Sequence, residues 1–211
     1  MAPVTDDVPP GLGADLARES ARFAALGWMR GTSGNLSVVT RREPLRLVVT
    51  ASGKDKGELQ VHDVVVVDGE GRAVVAGAPK PSAEAVFHAR IVARTGAGAV
   101  VHVHHLGAVL AADRHPGGIE IEGLEMLKGI ARAAEGDLVT IPVIQNSQDM
   151  HELGDRFEKV HEDGTPAVVV ARHGLYAWGD DLMQARHHTE IVAWVLDYVN
   201  DRPVTNRGGT P

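Results

Sequence analysis

Apolar and polar residues along this chain change period several times, and each change marks an element. From Leu12 to Trp28 the apolar positions Leu16, Phe23, Ala24 and Leu26 fall near helical spacing and are interrupted by Gly27, which predicts a first helix. Short β-rich runs follow at 35–40, 46–51, 63–68 and 72–76, the pattern of an antiparallel meander. Ser82 is placed to cap a helix from Ala83 to about Arg94, and the apolar run beginning Ala99-Val100-Val101 reads as a buried strand over 99–105. Beyond it the pattern predicts a helix from Gly123 to Ala134, a strand from Leu138 to Ile144 and a helix opened by the polar run 145–149 that extends to about His161. A strand over Ala167–Ala171 leads to His173, and Asp181 begins a long last helix through Tyr198. The expected architecture is an α/β sandwich, one central and mostly antiparallel sheet with helices on its faces.

Composition narrows the class without naming a function. A chain of 211 residues that is 44% hydrophobic and 23% charged is expected to fold as one domain, with residues 1–10 and 201–211, polar and rich in Pro and Gly, frayed at its ends. A formal net charge of −7 argues against a general binder of nucleic acid or of anionic membranes, so a small molecule is the expected partner. No window offers the ~20 apolar residues of a membrane span, and Met1-Ala-Pro-Val-Thr-Asp-Asp7 lacks the basic and apolar regions of a signal peptide, so a cytoplasmic location is expected. The chain has no cysteine, which leaves imidazole and carboxylate as its metal-binding groups.

The chemistry concentrates first in Val101-His-Val-His-His105. Side chains on a strand repeat every two residues, so His102 and His104 point to one face, where two imidazoles can take adjacent positions on one metal ion. The same spacing would also serve two histidines hydrogen-bonded in a core. His173, at the point where a strand ends in a glycine turn, could bring a third imidazole from another strand. His105 faces away from the pair, and His187 and His188 lie on a helix with Glu190 and Asp197, so these three read as structural.

Three segments could wrap an anion with backbone and side-chain donors: Gly31-Thr-Ser-Gly-Asn-Leu-Ser37; Thr50-Ala-Ser-Gly-Lys-Asp-Lys56, in which Lys54 and Lys56 add positive charge; and Lys80-Pro-Ser82 at a helix N-terminus. Plain turns have the same composition. Two carboxylates are candidates for proton transfer: Glu84, which a helix dipole would also explain, and Glu125, which a solvated helix face would also explain.

Taken in order, these segments resemble the class II aldolase and adducin-head family over about residues 12–200. The shared pattern is Gly31-Thr-Ser-Gly-Asn-Leu-Ser37, Ser52-Gly53, Pro81-Ser-Ala-Glu84, Val101-His-Val-His104 and His173-Gly174. Glu125-Met-Leu-Lys-Gly129, Asn146-Ser-Gln-Asp149 and His173-Gly-Leu-Tyr-Ala-Trp-Gly179 look like the family's dehydratase branch more than its sugar-phosphate aldolases. The resemblance implies an α/β/α sandwich that holds one zinc ion on His102, His104 and His173. It implies phosphate recognition by Thr32, Ser33, Gly34, Asn35, Ser52, Gly53 and Ser82. Glu125 matches the acid/base carboxylate of the dehydratases, and Glu84 matches the catalytic carboxylate of the aldolases. The implied reaction is loss of water from the sugar phosphate methylthioribulose 1-phosphate, a step of methionine salvage, with Tyr176, Trp178 or Met150 as an apolar wall for the methylthio end. Family members are commonly homotetramers with active sites at subunit interfaces. Two other readings stay open at this point: an aldolase or epimerase acting on fuculose, rhamnulose or ribulose phosphates, and a non-catalytic adducin-like interaction module.

Overall fold

A computed structural model describes residues 8–202, so the expectation of frayed ends falls largely outside the described residues. Helix α1 (Leu12–Ala25) leads into a meander of β1 (Asn35–Arg41), β2 (Arg46–Thr50) and β3 (Val64–Asp68). Then come α2 (Ala85–Thr95), β4 (Ala99–Val103), α3 (Leu106–Arg114) and β5 (Ile119–Ile121). A 3-10 helix (Glu125–Ile130) precedes β6 (Val139–Ile141) and β7 (Val143–Ile144). The chain closes with α4 (Met150–Val160), β8 (Ala167–Val170), β9 (Gly174–Gly179) and α5 (Leu182–Asp201).

Seven strands form one sheet in the order β3-β2-β1-β4-β9-β8-β7, antiparallel throughout except where β7 runs parallel to β8. Alternation along each strand sorts its side chains between two cores. Val101 and Val103 of β4 join Leu175 and Ala177 of β9 in the core that also takes Leu16 and Phe23 of α1 and Val192 and Leu196 of α5. Val100 joins Tyr176 and Trp178 in the opposite core, with Phe87 and Ile91 of α2 and Leu153 and Phe157 of α4. The central strands are buried on both faces, as an α/β/α sandwich requires. Among the described residues no helix is long and apolar enough to cross a membrane.

The structure adds α3 and β9, which the sequence reading did not contain, and departs from that reading in five further places. Residues 72–76 are not a strand; Ala73 alone bridges Val67. The helix expected over 123–134 is a short 3-10 turn that Ala131 ends in the left-handed region, φ 59°. The strand expected over 138–144 breaks at Pro142, which has no N–H to give a ladder: β6 pairs with β5 in a separate two-stranded sheet, and β7 joins the main one. The expected strand 99–105 stops at Val103, and His105 instead caps α3, its Nδ1 accepting from Ala108 N–H at 3.2 Å. Helix α2 starts at Ala85, with Ser82 two residues ahead of Glu84 and accepting from the Glu84 N–H at 3.3 Å.

Candidate metal centre and substrate cleft

Strand pairing sets the site at one end of the sheet. Asn35 of β1, His102 of β4 and Tyr176 of β9 lie directly opposite one another across three adjacent strands. His102 is fully buried and stacks on the Tyr176 ring, centroids 3.9 Å apart at 12°. His104 follows the strand, fixed by its N–H to Trp28 O at 2.9 Å. His173 lies in the turn from β8 to β9, where its N–H donates to Val170 O at 3.1 Å. Two glycines permit this packing. Gly34, at φ 75°, lies where a Cβ would be 2.9 Å from His102 O, and a Cβ on Gly174 would collide with Val103 O.

The three histidines and Glu84 converge, with one ligand atom from each lying within 4.8 Å of all the others. His104 Nε2 faces His102 Nε2 at 3.1 Å, and Glu84 Oε1 is 2.9 Å from His173 Nε2 and 3.5 Å from His102 Nε2. The Nδ1 atoms of two of the rings are already engaged. His102 Nδ1–H donates to Leu175 O at 3.1 Å, and His173 Nδ1–H donates to Asn146 Oδ1 at 3.3 Å. His102 and His173 therefore each turn an Nε2 lone pair into the cluster, where His104 presents its own Nε2. Two lone pairs facing at such a distance need a proton or a cation between them, so the donor set fits a divalent ion.

Electrostatics favour the same occupant. Burial pushes His102 down to about 3 and lowers His104 as well, so both rings are neutral at neutral pH and need not shed a proton to bind metal. Burial alone would raise Glu84, but the electrostatic attraction of His102, the contacts to His173 and the Asn35 hydrogen bond outweigh it and hold the carboxyl below its usual range. Asn35 Nδ2 donates to Glu84 Oε2 at 2.5 Å and to Ser82 Oγ at 3.1 Å, fixing the carboxylate from behind.

A cleft of about 380 Å³ opens on this cluster. Ser52 and Ser82 line it beside Glu84, His104 and His173, while Asn146, Gln148, Met150 and Arg172 also contribute to its wall. A larger groove of about 930 Å³, between α1 and α5, contains Trp194 and Met183 but none of the convergent ligands. Of the other residues assigned to phosphate, Asn35 is buried in holding Glu84, and Thr32, Ser33, Gly34 and Gly53 belong to loops beside the cleft rather than to its wall. Lys54 pairs with Asp63 at 2.9 Å, and Lys56 is buried.

Glu125 is not brought into the cluster. Its side chain is 77% exposed and pairs with Lys128 at 2.7 Å. Among the three candidates for an apolar wall, Tyr176 is buried behind His102 and Trp178 packs against Phe157 and His161; only Met150 reaches the cleft. The sequence reading did not single out Asn146 or Arg172 as site residues. Asn146 lies in the polar run before α4, which was read as a helix start and as one of the dehydratase-like segments but given no site role, and Arg172 carries a non-glycine φ of 57°, which only the structure reveals. His105 caps α3 and lies 3.3 Å from Asp197, while His188 bonds Trp178 O at 2.6 Å, structural places as expected.

A mixed seven-stranded sheet between helices, with three imidazoles and a carboxylate gathered at one end, is the build of a class II aldolase. The sequence model of the class II aldolase and adducin N-terminal domain matches residues 14–198, and the chain belongs to that family. It is 35% identical to the methylthioribulose-1-phosphate dehydratase of Geobacillus thermodenitrificans, over 93% of this chain and 94% of that one. It is 33% identical to the protein of the same name from Persephonella marina, over 83% of this chain and 82% of that one. Among solved structures, an L-fuculose 1-phosphate aldolase superposes with a TM-score of 0.74 at 25% identity, covering 95% of this chain and 92% of the other. YgbL of Escherichia coli superposes with a TM-score of 0.77 at 21% identity, covering 92% of each chain, and that likeness is one of fold.

Proposed function

We propose that this chain is a zinc-dependent dehydratase, acting in the cytoplasm, that converts methylthioribulose 1-phosphate to 5-methylthio-2,3-dioxopentyl phosphate and water. The observation that carries the reading is the convergence of His102, His104, His173 and Glu84 on a hydroxyl-lined cleft, in a chain that matches dehydratases over nearly its whole length. His102, His104 and His173 hold the metal ion, with Glu84 as a further oxygen donor beside them. Imidazole nitrogens with a carboxylate suit zinc, and a bound zinc ion supplies a Lewis acid that acidifies the proton next to the substrate carbonyl.

The protein's own groups do the rest. Ser52, Ser82 and the loops carrying Thr32, Ser33, Gly34, Asn35 and Gly53 anchor the phosphate, which fixes the reacting carbons without itself reacting. Glu125 takes the proton from C3 and returns it to the C4 hydroxyl, which leaves as water; the resulting enol takes a proton at C4 and becomes the diketone. Glu84 is the second carboxylate able to move a proton at the cluster. Glu125 is exposed on its own chain, and we assign it to the cleft of a neighbouring subunit in a homotetramer. The exposed Leu26, Met183 and Trp194 along the α1/α5 groove offer an apolar face for such an assembly.

The test is to incubate the zinc-loaded protein with methylthioribulose 1-phosphate and follow diketone formation, with fuculose 1-phosphate and ribulose 5-phosphate in parallel. Diketone that stops on chelation and returns with zinc is the expected result. Cleavage or epimerisation of another sugar phosphate, without diketone, would leave the site standing and replace the reaction by that of an aldolase or epimerase.

Met150 gives a second prediction. It is the large apolar side chain of the cleft wall, and removing one apolar contact from a pocket typically costs ~10-fold or more in discrimination. Met150→Ser should therefore lower kcat/KM for the methylthio substrate about tenfold while leaving that for a 5-deoxy analogue within about twofold. Equal losses on both substrates would remove Met150 from the tail pocket.

A further inference from the structure

Lys56 is one of the largest fully buried side chains of the protein, 2% exposed, although lysine is almost never fully buried unless paired. Its ammonium donates to Thr32 O at 3.1 Å and to Lys54 O at 3.0 Å, and its backbone N–H donates to Gly31 O at 3.0 Å. The acceptors are peptide carbonyls, so these contacts tie loop 31–34 to loop 52–55, while the carboxylates of Asp55, Glu84 and Asp63 act on the charge through space. An ammonium has three N–H donors, of which two are used here. Lys54, the neighbouring lysine, spends its charge on Asp63 at 2.9 Å. The two loops that Lys56 joins are two of the three assigned above to phosphate, and the third enters through Ser52 N–H, which donates to Lys80 O at 2.9 Å.

We propose that Lys56 is the positioning residue of the phosphate subsite: its buried ammonium clamps Thr32 and Lys54 together and supplies the fixed positive charge beneath a bound phosphate dianion. The inference rests on the proposed placing of phosphate at these loops. A buried point charge acts on a nearby anion with little screening by salt, and it costs no reorganisation when the ligand arrives. Such a group strengthens binding of the phosphate equally in the ground state and the transition state, so its loss belongs in KM and not in kcat.

The experiment compares the zinc-loaded wild type with Lys56→Met, which keeps the length of the side chain and removes the charge, by calorimetric titration with inorganic phosphate and by steady-state kinetics. The expected result is a Kd for phosphate and a KM for the sugar phosphate both raised about tenfold to a hundredfold, the size of one unit charge acting over several ångströms at an effective dielectric of about 20. Zinc content and kcat should stay within about twofold, and Lys56→Arg should recover part of the lost affinity. Lys56→Gln, which keeps a donor for the carbonyls and lacks the charge, carries the same expectation if Lys56→Met does not fold. A phosphate Kd unchanged in the variants, or a fall in kcat and zinc with KM intact, overturns the proposal. A wild type that binds no inorganic phosphate overturns the subsite itself, and the role of Lys56 with it.

Discussion

Replacing His104 by alanine is expected to remove the metal and the activity together, with turnover falling at least ~10³-fold. The loss follows from the donor count: His102, His173 and Glu84 remain, leaving two imidazoles and one carboxylate where the cluster now brings three imidazoles and a carboxylate within 4.8 Å. His104 is also the ligand whose removal confounds the result least. It is exposed at the mouth of the cleft, whereas His102 is fully buried, stacks on Tyr176 at 3.9 Å and bonds Leu175 O. His102→Ala would open a hole behind the site and unpair a carbonyl, so its effect on metal could not be separated from its effect on the fold. Atomic absorption of the dialysed variant, beside its melting temperature and turnover, decides the matter. A His104→Ala protein that holds a full equivalent of metal and turns over near the wild-type rate would show that the histidines are not the catalytic centre.

What the sequence made legible depended on whether the signal was local. The strands that alternate or run apolar between turn residues, β1, β2, β3, β4 and β8, could be read from their own residues. β9 could not: Gly174-Leu-Tyr-Ala-Trp-Gly179 is bounded by glycines and buried on both faces, so it has neither alternation nor β-branched residues to mark it. The apolar run of α3 follows within three residues of β4, and no helix was read there because Leu106 and Leu110 stay exposed and blur the helical stripe. The site shows the same division. His102 and His104 were legible as a pair because strand period alone puts them together, while His173 and Glu84 meet them only through the order β1-β4-β9 of the sheet, which no local pattern carries. Lys56 shows the limit most plainly: the sequence offers a lysine in a glycine-rich loop, and nothing in that loop says whether the charge points to solvent or inward to Thr32 O.

Glu125→Gln is expected to keep the metal and the substrate affinity and to lower kcat by ~10²–10⁴-fold, the usual worth of a positioned general acid/base. Gln has the shape of Glu without its basicity, so a loss confined to kcat would identify proton transfer rather than binding. The position of the side chain adds a sharper consequence. Glu125 is 77% exposed, pairs among the described residues with Lys128 at 2.7 Å, and is absent from the wall of its own cleft. If it serves a neighbouring subunit, two inactive proteins should repair each other: co-assembled in equal amounts, His104→Ala chains supply Glu125 and Glu125→Gln chains supply the metal site. Random pairing makes about a quarter of the sites whole, so mixed oligomers should regain roughly that share of wild-type turnover while each parent stays near zero. No recovery on mixing, with both parents inactive, would place Glu125 at the metal of its own chain. Near-normal turnover in metal-replete Glu125→Gln would instead remove it as the essential base and leave proton transfer to Glu84, which already lies 2.9 Å from His173 and is held there by Asn35.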